Sequence, residues 1–168
     1  MRRVLVIGSG GAGKSTLARR LGERLGLEVL HLDRFFWRAG WVETPGEEWA
    51  RRVEELLARE SWVMDGNYSG TLARRLEACD AVVFLDLPRT VCTWRVLKRL
   101  LTSRWTGRPD MAEGCVDRFS LDFLKWVWNY PVRRRPEVLA MLDEARRAGK
   151  NVVRLRSDEE VERFLAGL

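Results

Sequence analysis

The run Gly8-Ser9-Gly10-Gly11-Ala12-Gly13-Lys14-Ser15-Thr16 follows the apolar stretch Val4-Leu5-Val6-Ile7 and precedes Leu17, Leu21 and Leu25, spaced four apart. Apolar strand, glycine-rich turn and amphipathic helix follow one another. The spacing from Gly8 to Gly13-Lys14-Ser15 fits the phosphate-binding pattern G-x-x-x-x-G-K-[ST], the P-loop. The chemistry accounts for the residue types. Glycines let consecutive N–H groups turn into one concavity, an anion nest. The helix that opens there adds unpaired N–H donors and a partial positive charge of about half a unit. Lys14 reaches the β- and γ-phosphates of a nucleoside triphosphate, and the Ser15 hydroxyl suits Mg2+. All nine residues, Gly8 to Thr16, are therefore expected to hold ATP.

A length of 168 residues predicts one domain, here 1–168, with 46% hydrophobic and 32% charged residues as in globular proteins. No window approaches twenty uncharged apolar residues, so no membrane-spanning segment is expected. Met1-Arg2-Arg3 has the charge of a secretory leader, but the four-residue apolar run behind it is too short, and a cytoplasmic protein is expected. Cys79, Cys92 and Cys115 are odd in number and widely spaced, which points to packing thiols rather than disulfides or a zinc site. The net charge of +6 comes almost wholly from 26 arginines against 4 lysines. Such a balance suits nucleic acid, and equally a pocket for phosphorylated ligands, since arginine makes bidentate phosphate contacts.

Along the chain, Gly26 stands where the first helix should be capped, and a strand over 28–32 leads to Asp33. A polar group at the carboxyl end of a parallel strand sits where α/β proteins bind ligands. His31, inside that strand, is read as structural. Residues 34–46 are expected to be a loop in which Phe35, Phe36, Trp37 and Trp41, beside Arg34 and Arg38, either stack on and clamp a base or phosphate or form a hydrophobic seam over the next helix, predicted over 45–59. A short strand then ends in Asp65-Gly66-Asn67-Tyr68. An Asp closing an apolar strand is what P-loop proteins use for Mg2+, and Asp86, closing 81–85, is its rival. The helix over 90–103 carries Arg95 and Arg99 on one face. Residues 103–118 break the periodicity with Arg104 and Arg108 among glycines and a proline, as a lid would. The aromatics at 119–130 are expected in the core, Arg133-Arg134-Arg135 is a basic cluster, and Ser157 caps a final helix.

Five strands alternating with helices predict a parallel sheet covered on both faces, an α/β fold. The chain resembles the nucleoside and nucleotide kinase branch of P-loop proteins, and more closely the adenylate-kinase-related family labelled DNA topology modulation protein (FlaR-type). The resemblance rests on the P-loop, His31-Leu32-Asp33 with Trp37, Trp62-Val63-Met64-Asp65-Gly66-Asn67-Tyr68-Ser69, Leu85-Asp86-Leu87-Pro88-Arg89, and Arg108-Pro109-Asp110-Met111 with Glu113-Gly114-Cys115. It implies a three-layer α/β/α P-loop NTPase fold with sheet order 2-3-1-4-5. It also implies an acceptor region at about 33–60 and an arginine-bearing lid at about 103–118. One departure stands out. Where adenylate kinases have D-G-F-P-R, this chain has Asp65-Gly66-Asn67-Tyr68-Ser69, and Phe36 rather than arginine stands three residues after Asp33, which argues against AMP as acceptor.

The resulting expectation is a Mg2+-dependent kinase moving the γ-phosphoryl of ATP to a small acceptor of nucleoside or nucleotide type. Lys14, Arg99, Arg104 and Arg108 would stabilise the transferring group, while Ser15 and Asp65 would hold the metal. Asp33 would orient or deprotonate the acceptor, with Arg34, Trp37, Arg38, Asn67 and Tyr68 around it. Two other classes remain. A switch GTPase lacks its D-x-x-G and N-K-x-D sequences here, and a nucleic-acid-associated ATP-binding regulator has the basic charge but no recognisable DNA-binding motif.

Overall fold

A computed structural model of the chain describes residues 1–102, 111–112, 114–115 and 120–168. Its centre is a five-stranded parallel sheet built from β1 (Arg3–Gly8), β2 (Val29–His31), β5 (Trp62–Asp65), β6 (Ala81–Leu85) and β7 (Asn151–Leu155). Strands β3 (Trp37–Arg38) and β4 (Val42–Glu43) form a separate antiparallel hairpin. The order across the main sheet is β2-β5-β1-β6-β7. Counted among the parallel strands alone this is 2-3-1-4-5, as the resemblance implied.

Alternation along the strands makes the three layers. Leu5 and Ile7 of β1 face one side with Leu30, Trp62, Met64, Val82 and Phe84. Against them pack α3 (Gly46–Leu57), α4 (Leu72–Ala78) and α7 (Arg135–Arg147) through Val53, Leu56, Leu76 and Leu142. Val4 and Val6 face the other side with Val63, Val83 and Leu85. That side is covered by α1 (Lys14–Leu25), α5 (Arg89–Thr102), α6 (Leu121–Arg133) and α8 (Asp158–Ala166) through Leu17, Leu21, Cys92, Val127 and Leu165. Strands buried on both faces read as continuous apolar runs, which is why 4–7 and 81–85 lack polar residues. Each fully buried Val or Leu contributes roughly 1.5–3 kcal/mol, so these strands supply much of the apolar burial that holds the layers together.

The register aligns the functional ends. Val6 and His31 both pair with Asp65, so the carboxyl ends of β1, β2 and β5 lie side by side. Beyond β2 the chain differs from expectation. The strand stops at His31, and Asp33 lies in the first turn of a short helix, α2 (Leu32–Phe36). Residues 37–43 form the hairpin rather than a loop. Its turn has left-handed backbone at Gly40 (φ 77°) and Trp41 (φ 64°), and Thr44 closes it by donating its N–H and hydroxyl to the Phe36 carbonyl at 2.9 and 2.6 Å. The proposed lid at 103–118 lies largely outside the described residues, Arg104 and Arg108 included. Among those described, Gly114 accepts from the Gly40 N–H at 3.3 Å and Cys115 donates to the Arg38 carbonyl at 3.3 Å, so this short stretch rests on the hairpin.

Helix α1 approaches β2 closely at Gly22. A Cβ there would lie 2.3 Å from Val29 Cγ2 and 2.9 Å from the Leu27 carbonyl. Gly22→Ala is therefore expected to destabilise by about 1–3 kcal/mol through overpacking, outweighing the roughly 1 kcal/mol that alanine gains in a helix. Urea unfolding followed by tryptophan fluorescence checks this. A midpoint at or above that of the parent protein contradicts the packing described.

Candidate phosphate and acceptor site

Helix α1 begins without help from its own side chains. Gly13 occupies the N-cap position with φ 94°, no side chain caps the first turn, and that turn contains no acidic residue. The first N–H groups are thus available to an anion, which satisfies them and the helix dipole together. The preceding turn is held by Ala12 N–H donating to the Ser9 carbonyl at 3.2 Å. Gly11 (φ 77°) must be glycine because a Cβ would lie 2.3 Å from the Cys92 carbonyl of α5. Phe123 of α6 covers Gly10, whose Cβ would meet its ring at 2.8 Å. Lys14 Nζ donates to the Ser9 carbonyl at 2.9 Å. Burial lowers its pKa below the ordinary lysine value, with Asp33 and Asp65 opposing that shift.

The cradle opens into a cavity of about 890 Å3, within the usual range for ligand sites. Lys14, Ser15 and Thr16 line it, and so do Asp33, Trp37, Asp65, Asn67, Tyr68 and Arg99. Gly10, Gly11 and Gly13 line it from the loop, whereas Ser9 and Ala12 are buried behind it. Gly8 closes β1, and its N–H donates to Asn67 Oδ1 at 3.2 Å, which ties the phosphate loop to the segment after β5.

Asp65 is 3% exposed. Its Oδ1 bonds His31 Nδ1 at 2.9 Å, while its buried Oδ2 has no hydrogen-bond partner among the described residues. A buried carboxylate oxygen left over in a cavity shared with the Ser15 hydroxyl is the donor set a hard divalent cation uses, so the residues fit Mg2+. The rival is accounted for elsewhere. Asp86 accepts from Arg135 Nε at 2.8 Å and from Arg154 Nε at 2.8 Å, a half-buried clamp joining the end of β6 to β7 and α7. The same clamp explains Arg135, and Arg134 pairs with Glu137, so the basic cluster at 133–135 is not part of this cavity.

Asp33 accepts from the Tyr68 hydroxyl at 2.5 Å. Burial first and the Asp33 charge second raise the Tyr68 pKa, so the phenol stays a donor throughout the physiological range. Arg34 and Arg38 do not join them. Arg34 is exposed and does not line the cavity, and Arg38 points to Glu48 at 2.6 Å, because the hairpin turns its side chain outward from Trp37. The aromatic segment also departs from expectation. Tyr130 is buried, but Phe123, Trp126 and Trp128 are 39%, 36% and 43% exposed, and the first two line the cavity. Trp128 instead carries Arg89 over its ring at 4.4 Å.

Nothing in the sequence pattern singles out Arg75. It is 0% exposed, and its guanidinium donates to the carbonyls of Gly66, Asn67 and Tyr68 at 2.9, 3.0 and 2.9 Å and to Thr71 Oγ1 at 3.2 Å. Burial pulls its pKa down to about 10. No periodicity distinguishes it from Arg74 beside it, which pairs with Glu54 at the surface. By gathering three consecutive carbonyls it fixes Asn67 and Tyr68, and through Tyr68 the carboxylate of Asp33. Arg75→Met should leave those carbonyls unpartnered and cost about 2–4 kcal/mol, with Arg75→Lys recovering part of the loss. Thermal unfolding of the two variants measures this, and a methionine variant as stable as the parent contradicts the role.

No protein-family profile matches the chain. It is 34% identical over 118 residues to an adenylate kinase of Parvibaculum lavamentivorans, a match covering 68% of this chain and 56% of that one, so the chain spans little more than half of that relative's length. It is 27% identical over 131 residues to the uncharacterized protein YqaC of Bacillus subtilis, covering 77% and 72%. Among solved structures, shikimate kinase from Acinetobacter baumannii, in complex with shikimate, superposes with a TM-score of 0.58 at 20% identity, covering 99% of this chain and 90% of that one. By sequence the chain is related to the adenylate kinases, and by fold it is a P-loop kinase-like protein.

Proposed function

We propose that the protein is a Mg2+-dependent phosphotransferase of the nucleoside- and nucleotide-kinase type, moving the γ-phosphoryl of ATP to the hydroxyl of a small acceptor. The observation that carries this reading is the uncapped start of α1 opening into a cavity that also contains Lys14, Ser15, Asp33 and Asp65. An anion cradle alone would serve binding. A carboxylate held ready beside it, hydrogen-bonded by Tyr68, adds a group able to accept a proton.

The loop N–H groups and Lys14 bind and orient the triphosphate. Lys14 leaves the Ser9 carbonyl to do so, since an anionic oxygen is the stronger acceptor. Ser15 and Asp65 would hold Mg2+, which when bound screens the charge of the β- and γ-phosphate oxygens. His31 fixes the Asp65 carboxylate so that Oδ2 remains free for the ion. Arg99, lining the cavity from α5, faces the transferring group. Asp33 orients the acceptor hydroxyl and takes its proton, while Tyr68 keeps that carboxylate in place. Positioning and charge neutralisation account for most of the rate in such chemistry.

The nucleic-acid reading gains nothing comparable. Much of the arginine excess stands in surface ion pairs, Arg20 with Glu162, Arg59 with Glu28 and Arg74 with Glu54 among them.

Lys14→Ala is expected to reduce ATP-dependent phosphorylation of any accepted alcohol by at least about a hundredfold while the circular dichroism spectrum is retained. Normal turnover by the folded variant overturns the assignment. Proton linkage supplies a second check. The Lys14 pKa is lowered in the free protein and rises when a polyphosphate arrives, so binding takes up a proton. Affinity is then greatest below the free-protein value and weakens as pH rises toward the bound-state value, by up to about tenfold per pH unit. Calorimetry in buffers of different ionisation enthalpy reads the uptake directly. Heats of Mg-ATP binding independent of buffer across the alkaline range contradict it.

A further inference from the structure

The turn that follows β5 carries a side-chain donor that the fold does not use, the amide of Asn67. Its backbone is held from below, because Arg75 Nη2 donates to the Asn67 carbonyl at 3.0 Å and Arg75 Nη1 to that of Gly66 at 2.9 Å. Its side chain is held by the phosphate loop, because the Gly8 N–H donates to Oδ1 at 3.2 Å. A backbone N–H can only donate, so the amide atom that faces Gly8 is the oxygen, and the NH2 group lies on the other side of the same planar amide. Among the described residues, Nδ2 donates to none. Asn67 is half-buried and lines the cavity, and with its Oδ1 taken, Nδ2 is the polar side-chain atom it has left for a ligand.

Its place selects the ligand. Two residues before it stands Asp65 with an unpartnered Oδ2, and one residue after it stands Tyr68, whose hydroxyl is committed to Asp33. Through Gly8 it also touches the first residue of the phosphate loop. Loop, metal-holding carboxylate and acceptor-side carboxylate thus converge on Asn67 in one cavity, where a triphosphate seated on Lys14 and Ser15 presents its terminal group. We infer that Asn67 is a catalytic residue of the transfer, its Nδ2 donating to a nonbridging oxygen of the γ-phosphoryl group. This rests on the phosphotransfer reading above and adds to it a donor from outside the loop. In the step itself the acceptor oxygen bonds to the γ-phosphorus, and the bond from that phosphorus to the β,γ-bridging oxygen breaks. ADP leaves with the electron pair, the hydroxyl proton passes to Asp33, and Nδ2 keeps both its hydrogens. A neutral amide suits this place because it lends a hydrogen bond without setting a positive charge beside the ion that Asp65 would hold. Arg75 and Gly8 fix it beforehand, so little ordering is left when charge develops on the transferring oxygens.

Two nucleotides that differ in the γ-phosphoryl group test this without an acceptor. They are Mg-ADP and the Mg complex of the β,γ-imido analogue of ATP, each titrated into the full chain. In NMR spectra the Asn67 side-chain NH2 pair is assigned through its own Cβ. Saturation with the imido analogue should move one proton of that pair downfield, and saturation with Mg-ADP should leave the pair near its free position. By calorimetry, Asn67→Ala should weaken the imido analogue about tenfold more than it weakens Mg-ADP. Loss of the bond to Gly8 affects both nucleotides and cancels in that ratio.

If Asn67 does no more than tie Gly8, the variant loses affinity for both nucleotides equally, and the side-chain pair responds to them alike. Either result overturns the inference and leaves the phosphotransfer reading standing. The spectra use the parent protein alone, so they decide the question whether or not the variant folds. Failure of Mg-ADP to bind the parent protein removes the phosphotransfer reading instead, so the two failures are told apart.

Discussion

Everything in this protein turns on the free N–H groups at the start of α1. A helix that begins at a glycine, with no capping side chain and no acid in its first turn, carries an unmet demand for negative charge. The fold keeps that demand unmet by holding α1 rigid from behind. Leu17, Ala18 and Leu21 are buried on the sheet, Gly22 lets the helix meet β2, and Gly11 lets the loop pass under α5. None of these residues touches the cavity through a reactive group, yet each sets where the cradle points.

From that constraint the polarity of the site follows. The cradle and α5 make one side of the cavity electropositive, which suits the phosphates of a nucleotide. The opposite side is made acidic by the strand ends, and the register that pairs Asp65 with both Val6 and His31 places its carboxylate next to the loop. His31 and Tyr68 then orient the two carboxylates, Asp65 and Asp33, one each.

Much of this was legible in the residues. The P-loop follows from glycine geometry and a helix start, and the parallel strands follow from apolar runs too short for helices. Asp65 was chosen over Asp86 on local grounds, and the Arg135–Arg154 clamp on Asp86 gives a tertiary reason for the same choice. What stayed hidden depends on contacts distant in sequence. The stretch 34–46 looked like a loop because Phe36, Trp37 and Trp41 have no regular period. It becomes helix and hairpin because Phe36 packs on Trp49 at 5.1 Å and on Tyr68 at 4.6 Å. Arg38 seemed an acceptor ligand until the two-residue period of β3 turned it away from Trp37. Arg75 was invisible because a fully buried guanidinium is rare enough that no pattern predicts it. The aromatics of α6 were assigned to the core by composition, whereas two of them form a cavity wall.

The central claim is that the first turn of α1 binds polyphosphate through its main-chain hydrogens. Backbone amide NMR during a titration with Mg-ADP tests it most directly. The account predicts the largest downfield shifts, saturating together, at the amides of Gly11, Gly13, Lys14 and Ser15, as hydrogen bonds to phosphate oxygens form. Amides of that turn left unmoved while saturable shifts appear elsewhere would contradict it.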